Sequence, residues 1–521
     1  VTVFLVITCR FALMSALDLY PEEAYYWVYS LHLDWGYLDH PPMVAWLIKG
    51  GTLLLGKQEI GVRMPAMLCW VIGTVFSVAG ARRHYGTAAA KVMLMLLSIL
   101  PFYFMIGMMM TPDAPLYACW AGFLYFAGKA FIDDIKTAWI PAGICMGFGM
   151  LSKYTIALLG LSAVVYVITS ARERRWLTCI YAYLGGILSI LLFMPVVLWN
   201  YQHGWASFTF QSSRRWSDGW DFSTHKLVLA LLVLVTPLGL AACYRLIRNK
   251  FSTFTDSECD SRDRFAIIFT LVPLSVFLIF SIKGGIKLNW CGPLFLAVLP
   301  LLAHRLAGAF SGSSAQSSDE LALRPTVWLP NLAGSLLVLF GLSALLVTHP
   351  PEFIANKYTE LVPVSWKELG RKLHNIQTQC MIDNGEKPLI MGMDKYFMTS
   401  EMTFYLDHHQ LSNHAQYSFP DQKVVGRHLI GRSSLMYGFW QNPEEYIGES
   451  FILVDKDSDD LDTKAIRSSF EKLSSIHKIK LEQDGKSLGA YFWRLGEKYN
   501  TSNASWSNLH IQRRLAGLEA Q

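Results

Sequence analysis

Long, nearly unbroken apolar runs fill the chain up to about residue 348, divided by short polar stretches. A helix needs about 20 largely apolar residues to cross the hydrocarbon core of a bilayer. Windows of that kind recur at 1–17, 64–80, 87–110, 114–128, 137–151, 154–170, 177–199, 227–244, 265–282, 288–303 and 326–348. The pattern predicts an all-α polytopic membrane bundle of about 11 spans, with a range of roughly 11–13. The joints at Thr111-Pro112-Asp113 and Ser152-Lys153 are so tight that their turns must lie at or inside the membrane boundary.

Between the first two windows lies a long loop, 18–63. Residues 24–33 carry aromatics and Leu at near-helical spacing, and Pro41-Pro42 opens 43–55, which reads as a helix lying in the interface. A second loop, 200–226, is rich in Trp, Phe and Arg, as headgroup-level segments are. The stretch 308–320 has the composition of a flexible linker. After residue 348 the pattern changes to that of a small α/β domain. Strands are expected at 388–393 and 450–454, a helix at 463–473, and a closing strand pair, 476–481 with 490–495, around Asp484-Gly485. The expected organisation is a transmembrane domain at 1–348, an extramembrane α/β domain at 349–497 and a polar tail at 498–521.

Composition agrees with a membrane protein: 52% of the 521 residues are hydrophobic and 16% charged, against about 25% charged in soluble domains. The net charge of +5 mostly reflects loop arginines and lysines and does not argue for nucleic acid. One alternating set of loops holds Arg82, Arg83, Arg172, Arg174, Arg175, Arg245 and Arg248, which marks it as cytoplasmic. The opposite set gathers Asp18, Glu22, Glu23, Asp34, Asp39 and Asp113, so these loops and the C-terminal domain are expected on the outer face. No small-residue cleavage pattern precedes Asp18, so the first window is expected to be a retained span. Arg10 in its middle implies an upstream start, a snorkelling side chain or one turned into the bundle. Of the nine cysteines only Cys380 falls in the α/β domain, which leaves no disulfide framework there, and no metal-ligand spacing occurs.

Ionisable residues near a bilayer are costly unless paired, wet or useful. Glu22-Glu23, just past the first span, has two readings: a divalent-cation ligand or general base, or the acidic first turn of a helix. Asp113 is either an N-terminal turn residue or part of the same chemistry. Lys153 and the pair Lys283 and Lys287, beside Asn289, either snorkel or await an anion, of which phosphate is the most natural near lipid. Arg214 and Arg215 offer the same choice in the second loop.

The first loop, Pro21-Glu22-Glu23-Ala24-Tyr25-Tyr26-Trp27 with Asp34-Trp35-Gly36-Tyr37-Leu38-Asp39-His40-Pro41-Pro42, resembles the opening signature of the bacterial protein-mannosyltransferase-like family. This is glycosyltransferase family 39 in the wide sense, a group that includes the lipid A aminoarabinose transferase. Thr111-Pro112-Asp113-Ala114-Pro115, Leu151-Ser152-Lys153, Pro195 to Asn200 and Lys287-Leu288-Asn289-Trp290 extend the likeness to about residue 300. The resemblance implies a GT-C fold with its active site at the first outer loop. It also implies inverting transfer of a sugar from a polyprenyl-phosphate donor, undecaprenyl or dolichyl. It places the catalytic carboxylate in the acidic pair, with Glu22 aligned to the family's Asp and Glu23 beside it, and makes Asp113 the second acidic residue. Lys153 and Lys287 fall near the donor phosphate. Tyr25, Tyr26, Asp39, His40 and Asn289, with Arg214 and Arg215, complete the expected substrate-binding set. A metal role would use Glu22 and Asp113 with Mg²⁺ or Mn²⁺.

The expected protein is therefore a glycosyltransferase of the bacterial inner membrane, with its site and C-terminal domain periplasmic. Its acceptor is lipid A, another envelope glycolipid or a protein. The competing class is a transporter or lipid flippase, whose halves are often related; residues 1–170 and 177–348 show no convincing repeat.

Overall fold

A computed structural model describes residues 2–217, 222–251, 260–285, 288–310, 325–348, 366–412, 424–483 and 486–500. Helix α1 (Thr2–Ala16) bends by 73° into α2 (Pro21–Leu31). Pro21 suits the first helical position, where no N–H is needed, and Glu23 turns back to accept the backbone N–H of Tyr20 at 3.1 Å. The helix expected after Pro41-Pro42 is α3 (Met43–Leu55). Helix α4 (Glu59–Ile99) is broken at Gly86, whose φ of 90° suits a residue without a side chain. The expected window 87–110 splits at Leu100-Pro101, because proline lacks the N–H that would continue the helix; the short α5 (Pro101–Ile106) follows.

Next come α6 (Asp113–Phe131), α7 (Trp139–Met150), α8 (Ala157–Ile168) and α9 (Ile180–Gln202). Helices α7 and α9 approach closely at Gly143 and Gly185, where a Cβ on Gly143 would lie 2.1 Å from the Gly185 carbonyl oxygen. The aromatic loop at 200–226 contains a helix of its own, α10 (Ala206–Ser217). The bundle continues through α11 (Thr224–Phe251), broken at Thr236-Pro237, then α12 (Ser261–Lys283), a 3₁₀ segment (Leu288–Ala297), α13 (Leu299–Phe310) and α14 (Pro325–Thr348).

Among the described residues, four helices are long and apolar enough to cross a membrane alone, and two bent pairs raise the number to six. The eleven expected windows all meet helix, but several helices are short. A 12-residue helix such as α7 or α8 rises only about 18 Å, against a hydrocarbon core of about 30 Å. The Arg10 side chain turns inward instead of snorkelling. It is fully buried, donates to the Tyr103 carbonyl at 2.8 Å and stacks 4.1 Å from the Trp70 ring.

The C-terminal unit is a small α/β domain of α15 (Trp366–Asn384), β1 (Leu389–Gly392), α16 (Phe397–Ser412), β2 (Val424–Gly426), β3 (Phe451–Asp455), β4 (Phe470–Leu473), β5 (His477–Gln483) and β6 (Lys486–Tyr499). The sheet order is β2-β1-β3-β6-β4, with β5 also on β6; β1, β2 and β3 are parallel and β6 is antiparallel to β3. All five residues of β3 are buried, as suits a strand covered on both faces. The expected helix 463–473 is only Lys464–Ser469 before the chain turns into β4, where Phe470 packs on Phe451 and Tyr499. The turn Asp484-Gly485, most of the linker at 308–320 and the tail from 501 lie outside the described residues.

This domain sits on the loop region 18–63. Asp18 caps α15, its carboxylate accepting the backbone N–H groups of Trp366 (3.0 Å) and Lys367 (3.2 Å). Helix α16 lies against α2, with Trp27 edge-on to Phe404 at 4.9 Å and Tyr25 against Tyr396 at 4.5 Å.

Candidate active site

A cavity of about 470 Å³ opens where α2, α5, α6, α10, α11 and the 3₁₀ segment meet. One part of its wall is apolar, with Phe102, Met105, Ile106, Met109, Leu234 and Trp290. The other is polar, with Glu22, Tyr26, His40, Asp113, Lys153 and Asn289.

Three separate elements build the polar end. Asp113 stands in the first turn of α6, Lys153 in the turn between α7 and α8, and Asn289 at the start of the 3₁₀ segment. The Lys153 ammonium donates to Asp113 Oδ1 at 2.7 Å, and the Asn289 amide donates to Asp113 Oδ2. Asp113 and Lys153 are 3% and 8% exposed, so neither is a surface snorkeller. An ammonium has three donors, and among the described residues only one of those of Lys153 is engaged. Tyr26 and His40 meet edge to face, 5.6 Å between ring centres.

The adjacent glutamates part company. Glu22 is half-buried, lines the cavity and makes no hydrogen bond or ion pair to a described residue. Glu23 is fully buried and its oxygens are occupied. They accept from Arg63 Nε at 3.0 Å and Nη2 at 2.7 Å, from the Met110 N–H at 2.9 Å and from the Tyr20 N–H. The remaining donors of Arg63 reach the carbonyls of Met14 (3.0 Å), Leu17 (2.7 Å) and Asp18 (2.6 Å). Arg63 thus fastens the α1–α2 bend, and Glu23 belongs to that fastening.

Tyr25 and Asp39 also stand behind the cavity wall. The hydroxyls of Tyr25 (3.1 Å) and Tyr29 donate to Asp39 Oδ1, and Tyr25 accepts the Met436 N–H at 3.2 Å, which ties the loop to the C-terminal domain. Gly36 is required nearby, since a Cβ there would lie 2.9 Å from the Trp199 ring. Lys287 and the side chains of Arg214 and Arg215 lie outside the described residues. Two residues carried no signal in the sequence. Gln211, on α10, lines the cavity and donates to the Asp39 carbonyl at 2.5 Å. Arg63 looked like one more loop arginine; its burial alone distinguishes it.

The donor set does not fit a divalent cation. Glu22 and Asp113 both line the cavity, but among the described residues no three His, Cys, Asp or Glu side chains converge, and Lys153 already holds Asp113.

Compared with solved structures, the chain superposes on ArnT from Cupriavidus metallidurans over 95% of its own length and 97% of that protein's. The TM-score is 0.58 for apo ArnT, at 15% identity, and 0.59 for ArnT bound to undecaprenyl phosphate, at 14% identity. This chain has the GT-C fold. Residues 39–199 match the family model of dolichyl-phosphate-mannose-protein mannosyltransferase, and the family resemblance read from the first loop is borne out. Among characterised relatives, the lipid A galacturonosyltransferase RgtD of Rhizobium johnstonii is 22% identical over 300 residues, 54% of this chain and 59% of the relative. The lipopolysaccharide core galacturonosyltransferase RgtA of the same organism is 26% identical over 171 residues, 32% of this chain and 34% of the relative. The matched regions thus span three-fifths and one-third of these relatives' lengths. The cavity lies beside the loop region 18–63, on the side covered by the C-terminal domain.

Proposed function

We propose that the chain transfers a sugar from a polyprenyl-phosphate donor of the undecaprenyl-phosphate type to an envelope acceptor such as lipid A, another glycolipid or a protein. The observation that carries this reading is the composite cavity: an apolar wall runs into a polar end where a carboxylate with no described partner, Glu22, shares the space with Lys153. The undecaprenyl phosphate bound by ArnT and the lipid A and lipopolysaccharide-core acceptors named for the two relatives support it.

In this reading Phe102, Met105 and Leu234 take the lipid, while Lys153 and Asn289 face the phosphate. Glu22 accepts the proton of the acceptor hydroxyl as its oxygen attacks the anomeric carbon. The bond from that carbon to the phosphate oxygen breaks with inversion, and the electron pair leaves with the lipid phosphate. Lys153 stabilises the charge gathered there, and Asp113 holds the Lys153 side chain in place. No step is assigned to a metal.

The site and the C-terminal domain are assigned to the periplasmic side of the inner membrane on the loop-charge asymmetry. Cys380 is buried, so the orientation is tested with Lys478→Cys at an exposed position; a membrane-impermeant maleimide should label it from outside. For the activity, purified protein in lipid is offered a panel of undecaprenyl-phosphate sugars with lipid A or core glycolipid, and glycosylated product and released undecaprenyl phosphate are measured. Equal amounts of both are expected from at least one donor. Movement of the lipid-linked sugar between leaflets with no product would replace the enzyme with a flippase.

A further inference from the structure

Glu401, on α16, is fully buried where that helix lies on α2, and neither carboxyl oxygen has a hydrogen-bond partner among the described residues. The charged and titratable groups around it come from every neighbouring element: Asp18 from the α1–α2 bend, Glu22 and Glu23 from α2, Arg63 from α4, Tyr405 one turn along α16, and Tyr437 from the segment beyond β2. Three of these are carboxylic acids, Asp18 from the bend and Glu22 and Glu23 from α2. The cation, Arg63, has its donors committed to Glu23 and to three carbonyls. An ionised Glu401 would therefore have neither water nor a free counter-charge, at a cost far above that of the neutral acid. Burial first, then Asp18 and Glu23, push its carboxyl well above the ordinary value; Arg63 pulls the other way and is outweighed.

The contact that Glu401 occupies is the one that fixes the catalytic turn. Arg63 holds the first turn of α2 from the bundle side, and α16 holds it from the other. Beside Glu401, Tyr405 accepts the Leu19 N–H at 2.7 Å, and Lys367 pairs with Glu59 at 2.6 Å and Asp18 at 3.5 Å. Glu22 stands in that turn, next to Glu23.

We propose that Glu401 is a positioning residue: in its uncharged form it seats α16 on α2 and so holds Glu22 at the cavity, and the seat loosens as pH rises. This rests on the assignment of Glu22 as base. The direction follows from linkage. An exposed Glu ionises near about 4.3. Above that pH the undocked state gains by releasing a proton that the docked state still holds, so docking weakens about tenfold per pH unit until docked Glu401 itself ionises, and then levels off. Glu401→Gln keeps the size, cannot ionise and removes this slope, whatever constant cost its amide brings.

The test uses the full chain in lipid nanodiscs between pH 5 and 8.5. Hydrogen–deuterium exchange over residues 21–31, corrected for intrinsic exchange, is read beside transfer kinetics for wild type, Glu401→Gln and Glu401→Ala. Protection of α2 should fall with pH in wild type and stay flat in the Gln variant. The wild-type kcat should fall over the same range with the donor KM unchanged, and the Gln variant should lose that alkaline fall. The Ala variant, with a void in the contact, should be less protected than Gln at every pH. Protection independent of pH in wild type, or an identical slope in the Gln variant, overturns the proposal. Exchange alone decides the seat, so absence of transfer with every donor would refute the enzyme reading and leave this result standing.

Discussion

Glu23–Arg63 and Asp113–Lys153 are both buried acid–base pairs whose acid stands in the first turn of a helix, and both lie at the same end of the bundle. They differ in what remains unspent. Arg63 and Glu23 satisfy each other, two backbone N–H groups and three carbonyls, and the result is a joint. Asp113 spends its oxygens on Lys153 and Asn289, but Lys153 keeps donors in a cavity large enough for a ligand. Burial of charge is common to both; unmet hydrogen-bonding capacity beside open space separates the proposed site from the joint. Glu22 and Glu23 make the same point across one peptide bond.

If the contrast holds, the two glutamates respond differently to the same substitution. Glu22→Gln should lower the transfer rate by about 10²–10⁴, as for a lost general base, and change stability by no more than about 1 kcal/mol. Glu23→Gln should instead destabilise by about 3–5 kcal/mol, because Arg63 is left without its counter-charge. Thermal unfolding and single-turnover rates on the pair decide it; equal rates with equal melting temperatures would erase the distinction. Lys153→Met keeps the apolar stem and should weaken donor use by about 10–100-fold, the worth of a charge-assisted hydrogen bond. Combining it with Asp113→Asn should cost less than the product of the single effects, since both act through one pair. A normal donor KM and kcat in Lys153→Met would move phosphate recognition to Arg214, Arg215 or Lys287. The smallest expected effect is that of a chelator: activity should be unchanged by EDTA, and a loss restored by Mg²⁺ or Mn²⁺ would put a cation on Glu22 and Asp113 after all.

Much of the site was legible locally. Glu22, Tyr26, His40, Asp113, Lys153 and Asn289 stand in short motifs whose residue types are costly near a bilayer, and all six meet at one cavity. Tyr25 and Asp39 belong to the same motifs yet support the wall from behind, because side-chain direction depends on how the loop folds over α2 and under the C-terminal domain. Arg63 and Gln211 could not be singled out, since nothing beside them in the chain announces their partners: Glu23 is 40 positions from Arg63, and Asp39 is 172 positions from Gln211. The short windows show a related limit of local reading: all of them fall on helix, but among the described residues few of those helices are long enough to cross alone. An apolar run reports that a segment avoids water, whereas crossing a bilayer also requires unbroken length, which Pro101 and the bend before α2 interrupt.

The sequence by itself determined the properties that accumulate over neighbouring residues: a membrane bundle, an acidic first loop and a distinct α/β domain. Only the tertiary structure decided which glutamate is satisfied and which is not. It also seated Glu401, with no hydrogen-bond partner among the described residues, near the first turn of α2. The physical reason is that hydrophobic patterning and capping act within a turn or two of the chain. The protonation, pairing and reach of a buried charge depend on the groups that folding brings against it from far along the chain.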